Sequence, residues 1–169
     1  GSFISVVQSK DGNVWGALSK KLVKINPTTL ETTEIAIPTK TVPTPSAWNA
    51  GTFCSSTQDN SIYFLSGINV VKYDVTNNKF EETFIEIPGQ DTTPKETYYG
   101  AGLRIDPLTN ELVLTTIGSG WGTNSQINYV HRFSDNGSLK KSVKLSEYYW
   151  FPSMPVFPDN AAPIINDLE

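Results

Sequence analysis

The chain is built from short runs in which apolar and polar residues alternate, and these runs recur at a spacing of about fifty residues. Residues 32–37 alternate as expected of a strand with one exposed face, and similar runs follow at residues 82–87 and 140–145. Each unit holds four such runs separated by turn signals such as Asp11-Gly12, so each predicts a four-stranded antiparallel sheet. A period of this length with four strands per unit is typical of β-propeller blades.

The sequence therefore predicts an all-β fold, a partial β-propeller of about three four-stranded antiparallel blades. The predicted blades cover residues 3–38, 52–88 and 100–146, and a closing segment rich in proline and aromatic residues covers residues 147–169. Because propellers usually have four to eight blades, we expect a single domain that is the C-terminal part of a larger propeller. A homodimer formed through exposed blade edges is the alternative.

Composition narrows the classes of function. The chain has 169 residues and a formal net charge of −4, which argues against nucleic acid as a partner because nucleic-acid-binding domains usually carry a basic stripe. Cys54 is the single cysteine, so an internal disulfide is excluded. Its flanks are typical of an inner strand and predict a buried, unreactive thiol.

The residues that could carry chemistry are few. The single histidine, His131, falls in a predicted strand without cysteines or paired carboxylates at metal-ligand spacing, so we expect a structural role. Asp11, Asp59, Asp74 and Asp106 occupy predicted turns. We therefore expect a protein that is not an enzyme, with no catalytic residue, metal or cofactor. A propeller enzyme whose active residues lie partly in other blades is the least favoured reading.

Two features carry a resemblance to a known family. The strand-and-turn sequences Lys24-Ile-Asn-Pro-Thr-Thr-Leu30 and Lys72-Tyr-Asp-Val-Thr-Asn-Asn78 resemble the YncE-like, surface-layer-type seven-bladed propellers. The ending Tyr149-Trp-Phe-Pro-Ser-Met-Pro-Val-Phe-Pro-Asp159 is more specific and resembles the C-terminal blades of DUF5074, a family of Bacteroides cell-surface propellers. The resemblance implies an exported protein at the cell surface or outer membrane, such as a lipoprotein. Some relatives capture vitamin B12 for an outer-membrane transporter, which implies cobalamin as a candidate ligand and such a transporter as a candidate partner.

The repeat also predicts where a ligand would bind. In an antiparallel blade, the loops that enter strand one and the loops that join strands two and three lie on the same face. Aromatic and amide residues recur in these loops, and the candidate ligand-binding residues are Trp48, Asn49, Tyr98, Tyr99, Trp121, Asn124 and Trp150. Flat aromatic rings would stack on the ligand while the amides donate hydrogen bonds. The alternative is that these aromatic residues pack between blades and plug the channel.

These observations favour non-catalytic capture of a small molecule or glycan through one loop face, for uptake. The alternative function is a protein–protein interaction scaffold in a surface complex. A clustered set of exposed aromatic side chains would favour capture, whereas a flat apolar patch would favour the scaffold.

Overall fold

The computed structural model describes residues 6–18, 20–38, 53–89, 97–119 and 125–149. These residues form twelve strands in three four-stranded antiparallel sheets. The first sheet contains β1 (Val6–Gln8), β2 (Val14–Leu18), β3 (Lys21–Ile25) and β4 (Thr32–Ala36). The second contains β5 (Phe53–Ser55), β6 (Ser61–Ser66), β7 (Asn69–Asp74) and β8 (Lys79–Glu86). The third contains β9 (Thr97–Ile105), β10 (Leu112–Ser119), β11 (Ser125–Phe133) and β12 (Leu139–Tyr149).

Each sheet is a simple meander in which consecutive strands are neighbours. The innermost strands β1, β5 and β9 contact one another in sequence, so the three sheets lie side by side as blades around a common axis. The prediction of an all-β, partial β-propeller is confirmed. In the described ranges no helix has the length and apolar character needed to cross a membrane.

Two hydrophobic clusters hold the blades together. Between the first and second blades, Trp15 packs edge-on against Tyr73 with their ring centroids 5.6 Å apart, and both side chains are buried. Between the second and third blades, Leu65 and Leu114 belong to the cluster that also contains Cys54. The core therefore lies at the blade interfaces, because each sheet presents one side of its period-two pattern to each neighbour.

A recurring turn explains why the strands end where they do. Asn26 and Asp74 each follow strand three, and their side-chain oxygens accept backbone N–H bonds from the residues two and three positions later. Asp106, after a first strand, accepts the corresponding bond from Leu108. The fifth residue of each turn has a positive φ: 59° at Leu30, 52° at Asn78 and 58° at Asn110. Side-chain capping of the turn thus reverses the chain in the same way in all three blades.

The third blade is longer than the sequence predicted. Strand β9 begins at Thr97 and β12 continues to Tyr149, so both strands extend beyond the predicted blade of residues 100–146. The extension of β9 depends on a β-bulge, since Thr115 pairs with Gly102 and Thr116 with Gly100, which leaves Ala101 as the extra residue. A side chain at position 100 would crowd the second blade, because a Cβ there would lie 2.5 Å from Leu65 Cδ1 and would force that side chain to shift.

Candidate functional site

Two of the predicted ligand-binding residues lie in a strand and not in a loop. Tyr98 and Tyr99 lie within β9, where they pair with Gly118 and Ile117 of β10, so the prediction that they occupy a loop before the strand is wrong. Their high β-propensity and the bulge beside them account for the difference. The other five predicted ligand-binding residues, Trp48, Asn49, Trp121, Asn124 and Trp150, lie outside the described residues. A role of all seven residues in binding remains a prediction.

Blade strands converge on a cavity beside the propeller axis, which we call the axial cavity. It has a volume of about 330 Å³ and opens between the inner strands β1, β5 and β9. Its described lining residues are Val6, Val7, Phe53, Cys54, Ser55, Arg104 and Ile105. One hydrogen bond spans the two blades at its wall, from Ser55 Oγ to the Gln8 carbonyl oxygen at 2.6 Å. The cavity is thus framed by backbone whose geometry the blade packing fixes.

Arg104 places a positive charge in the lining of the axial cavity. Its side chain is exposed, and its Nη1 donates a hydrogen bond to the Leu103 carbonyl oxygen at 3.1 Å. Cys54 lies close by, and its burial raises the pKa of the thiol to about 12, although the positive charge of Arg104 acts in the opposite direction. The predicted buried thiol is confirmed, and it forms part of the wall in its neutral form. Sequence reasoning missed Arg104, whose signal was a cation within the otherwise uncharged run Gly100-Ala-Gly-Leu-Arg-Ile105.

His131 is held between two hydroxyl groups in the third blade. Its Nε2 lies 3.1 Å from Thr116 Oγ1 and its Nδ1 lies 2.8 Å from Ser142 Oγ, so a neutral ring can donate to one hydroxyl and accept from the other. The ring also stacks on Tyr129 at 5.7 Å between centroids. Burial lowers the pKa of His131 from 6.5 to about 4. The structural role predicted for this histidine is supported by its buried, doubly hydrogen-bonded position.

Three of the turn carboxylates, Asp11, Asp59 and Asp106, form ion pairs with cations on neighbouring strands. Asp11 lies 3.6 Å from Lys24, and Asp59 lies 3.2 Å from Lys72. In the third blade the equivalent cation is Arg132, whose Nη2 lies 3.3 Å from Asp106 Oδ2. Groups of three or more potential metal ligands are absent from the described part of the chain.

The Arg132 pair belongs to a buried network. Arg132 Nε also binds Glu111, which in turn binds Lys140, and both Arg132 and Glu111 are less than a tenth exposed. Burial raises the pKa of the Glu111 carboxyl, but the hydrogen bonds from Lys140 and Arg132 outweigh this and hold it below its usual value. These ion pairs compensate the charges of Arg132 and Glu111, which would be costly to bury without a partner.

A second concavity lies on the side of the propeller, and we call it the lateral groove. It has a volume of about 540 Å³ and runs between the outer strand of the first blade and the second blade. Its described lining includes Lys24, Glu34, Ile35, Tyr73 and Asn78. Lys24 and Glu34 give this groove charges of both signs, whereas the charged residue in the described lining of the axial cavity is Arg104.

Comparison with known proteins places this geometry among bacterial propeller-like proteins. Residues 1–158 match the family described as "Domain of unknown function (DUF5074)". No curated protein sequence matches the chain. A quinonprotein alcohol dehydrogenase-like protein from Bacteroides thetaiotaomicron is similar in structure, with a TM-score of 0.62 and 18% identity over 83% of this chain.

The extracellular domain of a protein from B. thetaiotaomicron described as a one-component system is also similar, with a TM-score of 0.53 and 16% identity over 86% of this chain. The chain spans 33% of the length of the first of these proteins and 17% of the second. At identities of 18% and 16%, the similarity shows a shared fold and nothing further.

Proposed function

Because the chain belongs to the DUF5074 family, we propose that it is a non-catalytic binding module of an exported bacterial surface protein and holds a ligand at the end of the propeller axis. The observation that carries this proposal is the axial cavity, where Val6 and Ile105 offer apolar surface beside the exposed Arg104. Pockets that join apolar walls to a few polar groups are the usual form of small-molecule sites. The extracellular location of one structural neighbour supports export.

The chemistry of the buried groups supports capture over catalysis. Cys54 and His131 are both held in their neutral forms, the first by a pKa raised to about 12 and the second by a pKa lowered to about 4. A thiol nucleophile that works near neutral pH needs a lowered pKa, and a histidine general base needs a pKa close to neutrality. These two residues therefore serve packing and hydrogen bonding in the proposed function.

The ligand classes to be tried are a corrinoid, another planar small molecule such as haem, and glycans. Trp121 and Trp150 are the residues proposed to stack on such a ligand, as the sequence analysis predicts. Aromatic side chains contribute large contact areas to such complexes at low entropic cost. An outer-membrane transporter is the proposed recipient of the ligand.

Tryptophan fluorescence titration with cobalamin, haem and a glycan panel tests the proposal. We expect a saturable change with one member of the panel, and a weaker affinity after Trp121→Ala. The matched control is Trp15→Phe, which alters a buried tryptophan at a blade interface and should leave the affinity unchanged. Isothermal titration calorimetry on each variant separates a lost signal from lost binding.

The second candidate function is a protein-interaction scaffold, and the lateral groove favours it. The groove lies beside β4, an outer strand whose exposed edge can pair with an extended peptide. Absence of binding across the whole panel, with the protein folded, would contradict capture and leave the scaffold as the better account.

A further inference from the structure

We propose that the edge of β4 binds an extended peptide as a fifth strand of the first blade, and that the preferred peptide places a cationic residue opposite Glu34 between two aliphatic residues. This assignment deepens the second candidate function and rests on it, since it names the class of peptide that the scaffold would hold. The edge of β4 is separate from the axial cavity, so ligand capture there is independent of it.

The three outer strands differ in how well their edges are protected against pairing. The ladder that joins β8 to β7 contains one register shift, and the ladder that joins β12 to β11 contains two. Both strands also carry adjacent exposed charges, Glu81-Glu82 in β8 and Lys140-Lys141 in β12. Bulges and charged side chains are the usual devices that keep a strand edge from pairing with another chain. β4 has a regular five-residue register with β3 and one charged residue, Glu34, so its edge is the most open to pairing of the three.

The hydrogen bonds at the two ends of the β3–β4 ladder fix the pattern of bonding between them. At one end the Asn26 N–H donates to the Glu31 carbonyl oxygen at 2.9 Å, and at the other the Ile37 N–H donates to the Lys20 carbonyl oxygen at 3.0 Å. Hydrogen-bonded and non-hydrogen-bonded pairs alternate along an antiparallel ladder. The bonded pairs between these ends are therefore those at positions 33 and 35 of β4.

This alternation directs the backbone of the remaining β4 residues outward. The N–H and C=O groups of Thr32, Glu34 and Ala36 point away from β3, and all three residues are exposed. A peptide that pairs with this edge in the antiparallel direction would exchange hydrogen bonds with these three residues. Addition of a strand to an exposed sheet edge is a common mode of peptide recognition.

The two faces of β4 determine which side chains suit the peptide. Thr33 and Ile35 line the lateral groove, and Ile35 packs against the cluster that contains Trp15 and Tyr73, so peptide residues opposite them meet apolar surface. Side chains alternate along a strand, so Glu34 lies on the opposite face of the sheet. A strand with an aliphatic residue on each side of its central residue matches this alternation.

Glu34 sets the charge of that central residue. Its side chain is 59% exposed and forms an ion pair with Lys21 of β3. A carboxylate has acceptor sites for a second cation, and opposite charges directly across a ladder stabilise the pairing. In a two-fold pair of β4 strands centred on Glu34, this residue would instead lie opposite its own counterpart, and like charges at such positions are destabilising. The edge therefore suits a different polypeptide with a lysine or arginine opposite Glu34 better than a second copy of this chain.

NMR titration of the ¹⁵N-labelled chain with the peptide acetyl-Gly-Thr-Val-Lys-Val-Thr-Gly-amide tests the inference. We expect saturable shifts at residues 32–36, and roughly threefold to tenfold weaker binding of the same peptide with glutamate in place of lysine. Methylation of the lysine N–H removes a hydrogen bond that faces β4 and should weaken binding by about tenfold. Methylation of a valine N–H, which faces away from β4, is the matched control and should have a smaller effect.

Variants of the chain identify the edge responsible. Glu34→Lys should reverse the preference between the lysine and glutamate peptides, whereas Glu82→Lys makes the same charge change on β8 and should leave the preference unchanged. Ala36→Pro removes an outward N–H that β3 does not use, so the fold should be retained while the affinity for the lysine peptide falls by about tenfold. Thermal unfolding of each variant shows whether the fold is intact.

The outcomes separate this inference from the scaffold function on which it rests. If the two peptides bind equally and both bind more weakly after Ala36→Pro, edge pairing stands and the cationic assignment falls. If the lysine peptide binds but neither methylation of its lysine N–H nor Ala36→Pro weakens it, a peptide-binding scaffold stands and β4 is not its site. If neither peptide binds to the folded chain, the inference falls and the lateral groove no longer favours the scaffold.

Discussion

Lys72 lies directly across from Tyr63 on neighbouring strands, and its ammonium nitrogen is 5.6 Å from the centre of the Tyr63 ring. The same nitrogen is 3.2 Å from Asp59 Oδ2 at the turn that precedes Tyr63. The first blade repeats the relationship with Lys24, which lies across from Trp15 at 5.8 Å and within 3.6 Å of Asp11. A cation on strand three thus joins the strand-two aromatic ring to the turn carboxylate in both blades.

Replacing this cation should loosen the second blade. We expect Lys72→Met to lower the free energy of unfolding by about 1 kcal/mol, because it removes a partly shielded ion pair and a cation–π contact. Lys72→Arg should retain most of the stability, since both contacts need only the charge. Urea unfolding monitored by circular dichroism measures the difference, and Lys79→Met provides a control at an exposed lysine. Equal effects at the two positions would contradict a role for the contacts.

Relieving backbone strain should stabilise the first blade. Leu30 has a φ of 59° and is 74% exposed, while the residues in the equivalent turn position are Asn78 and Asn110. Asparagine tolerates the left-handed conformation better than leucine, so Leu30→Asn should raise the free energy of unfolding by roughly 0.5–1 kcal/mol. Leu108→Asn is the matched control, because Leu108 is also an exposed turn leucine but lies outside the positive-φ positions. An equal gain in unfolding free energy for Leu108→Asn would show that the effect comes from replacing an exposed leucine with a polar residue and not from the backbone conformation at Leu30.

The burial of His131 predicts a pH dependence of stability. Its pKa is lowered from 6.5 to about 4, so the folded state favours the neutral ring. The stability that depends on this neutral ring is complete above pH 6.5 and is lost as the pH falls toward 4. At pH 5.5 the loss should be about 1 kcal/mol, since one pH unit corresponds to about 1.4 kcal/mol. Melting temperatures between pH 7.5 and 5 measure this loss.

The control for this pH dependence is His131→Gln, which keeps a polar side chain but cannot titrate. The slope of stability between pH 6.5 and 5 should flatten in this variant, whatever its absolute stability. The turn carboxylates act in a different window, because the pKa values of Asp59 and Asp106 are lowered and their contribution is lost only below their unfolded values near 4. An unchanged slope in His131→Gln would assign the effect to another group.

Close contact between blades should make position 100 intolerant of a side chain. A Cβ on Gly100 would lie 2.5 Å from Leu65 Cδ1, and Leu65 is only 2% exposed. Gly100→Ala should therefore lower the free energy of unfolding by about 1–3 kcal/mol through overpacking. In the double variant Gly100→Ala/Leu65→Ala, the loss of unfolding free energy should be smaller than the sum of the losses in the two single variants, because the alanine methyl fills part of the space that Leu65 leaves. Strict additivity in chemical denaturation would show that the two residues do not compete for space.

The blade architecture could be predicted from sequence because each blade repeats the same local signals. The alternation of apolar and polar residues predicts each strand, and turn residues such as Asn26 and Asp74 predict where a strand ends. Neither prediction needs information about contacts distant in sequence. The bounds of the third blade could not be predicted in this way. They depend on the bulge at Ala101 and on the approach of Gly100 to Leu65, which are contacts between strands and between blades.

The candidate site was less predictable than the fold. Arg104 and Arg132 are two arginines of the same blade, and the alternation pattern gives no reason to separate a cavity residue from a buried ion-pair residue. The distinction depends on where Asp106 and Glu111 lie in three dimensions, since these acids hold Arg132. Aromatic spacing directed attention to Tyr98 and Tyr99, but spacing does not show that a strand will extend through them.

The central claim is that a ligand is captured at the axial cavity, and the most direct measurement is amide chemical-shift mapping by ¹H–¹⁵N NMR during titration with cobalamin, haem and glycans. The account predicts saturable shifts with at least one of these ligands, largest at residues 53–55 and 102–105 on the inner strands. Saturable shifts centred instead on the turns at residues 56–60 and 106–110, or no shift with any ligand, would contradict it.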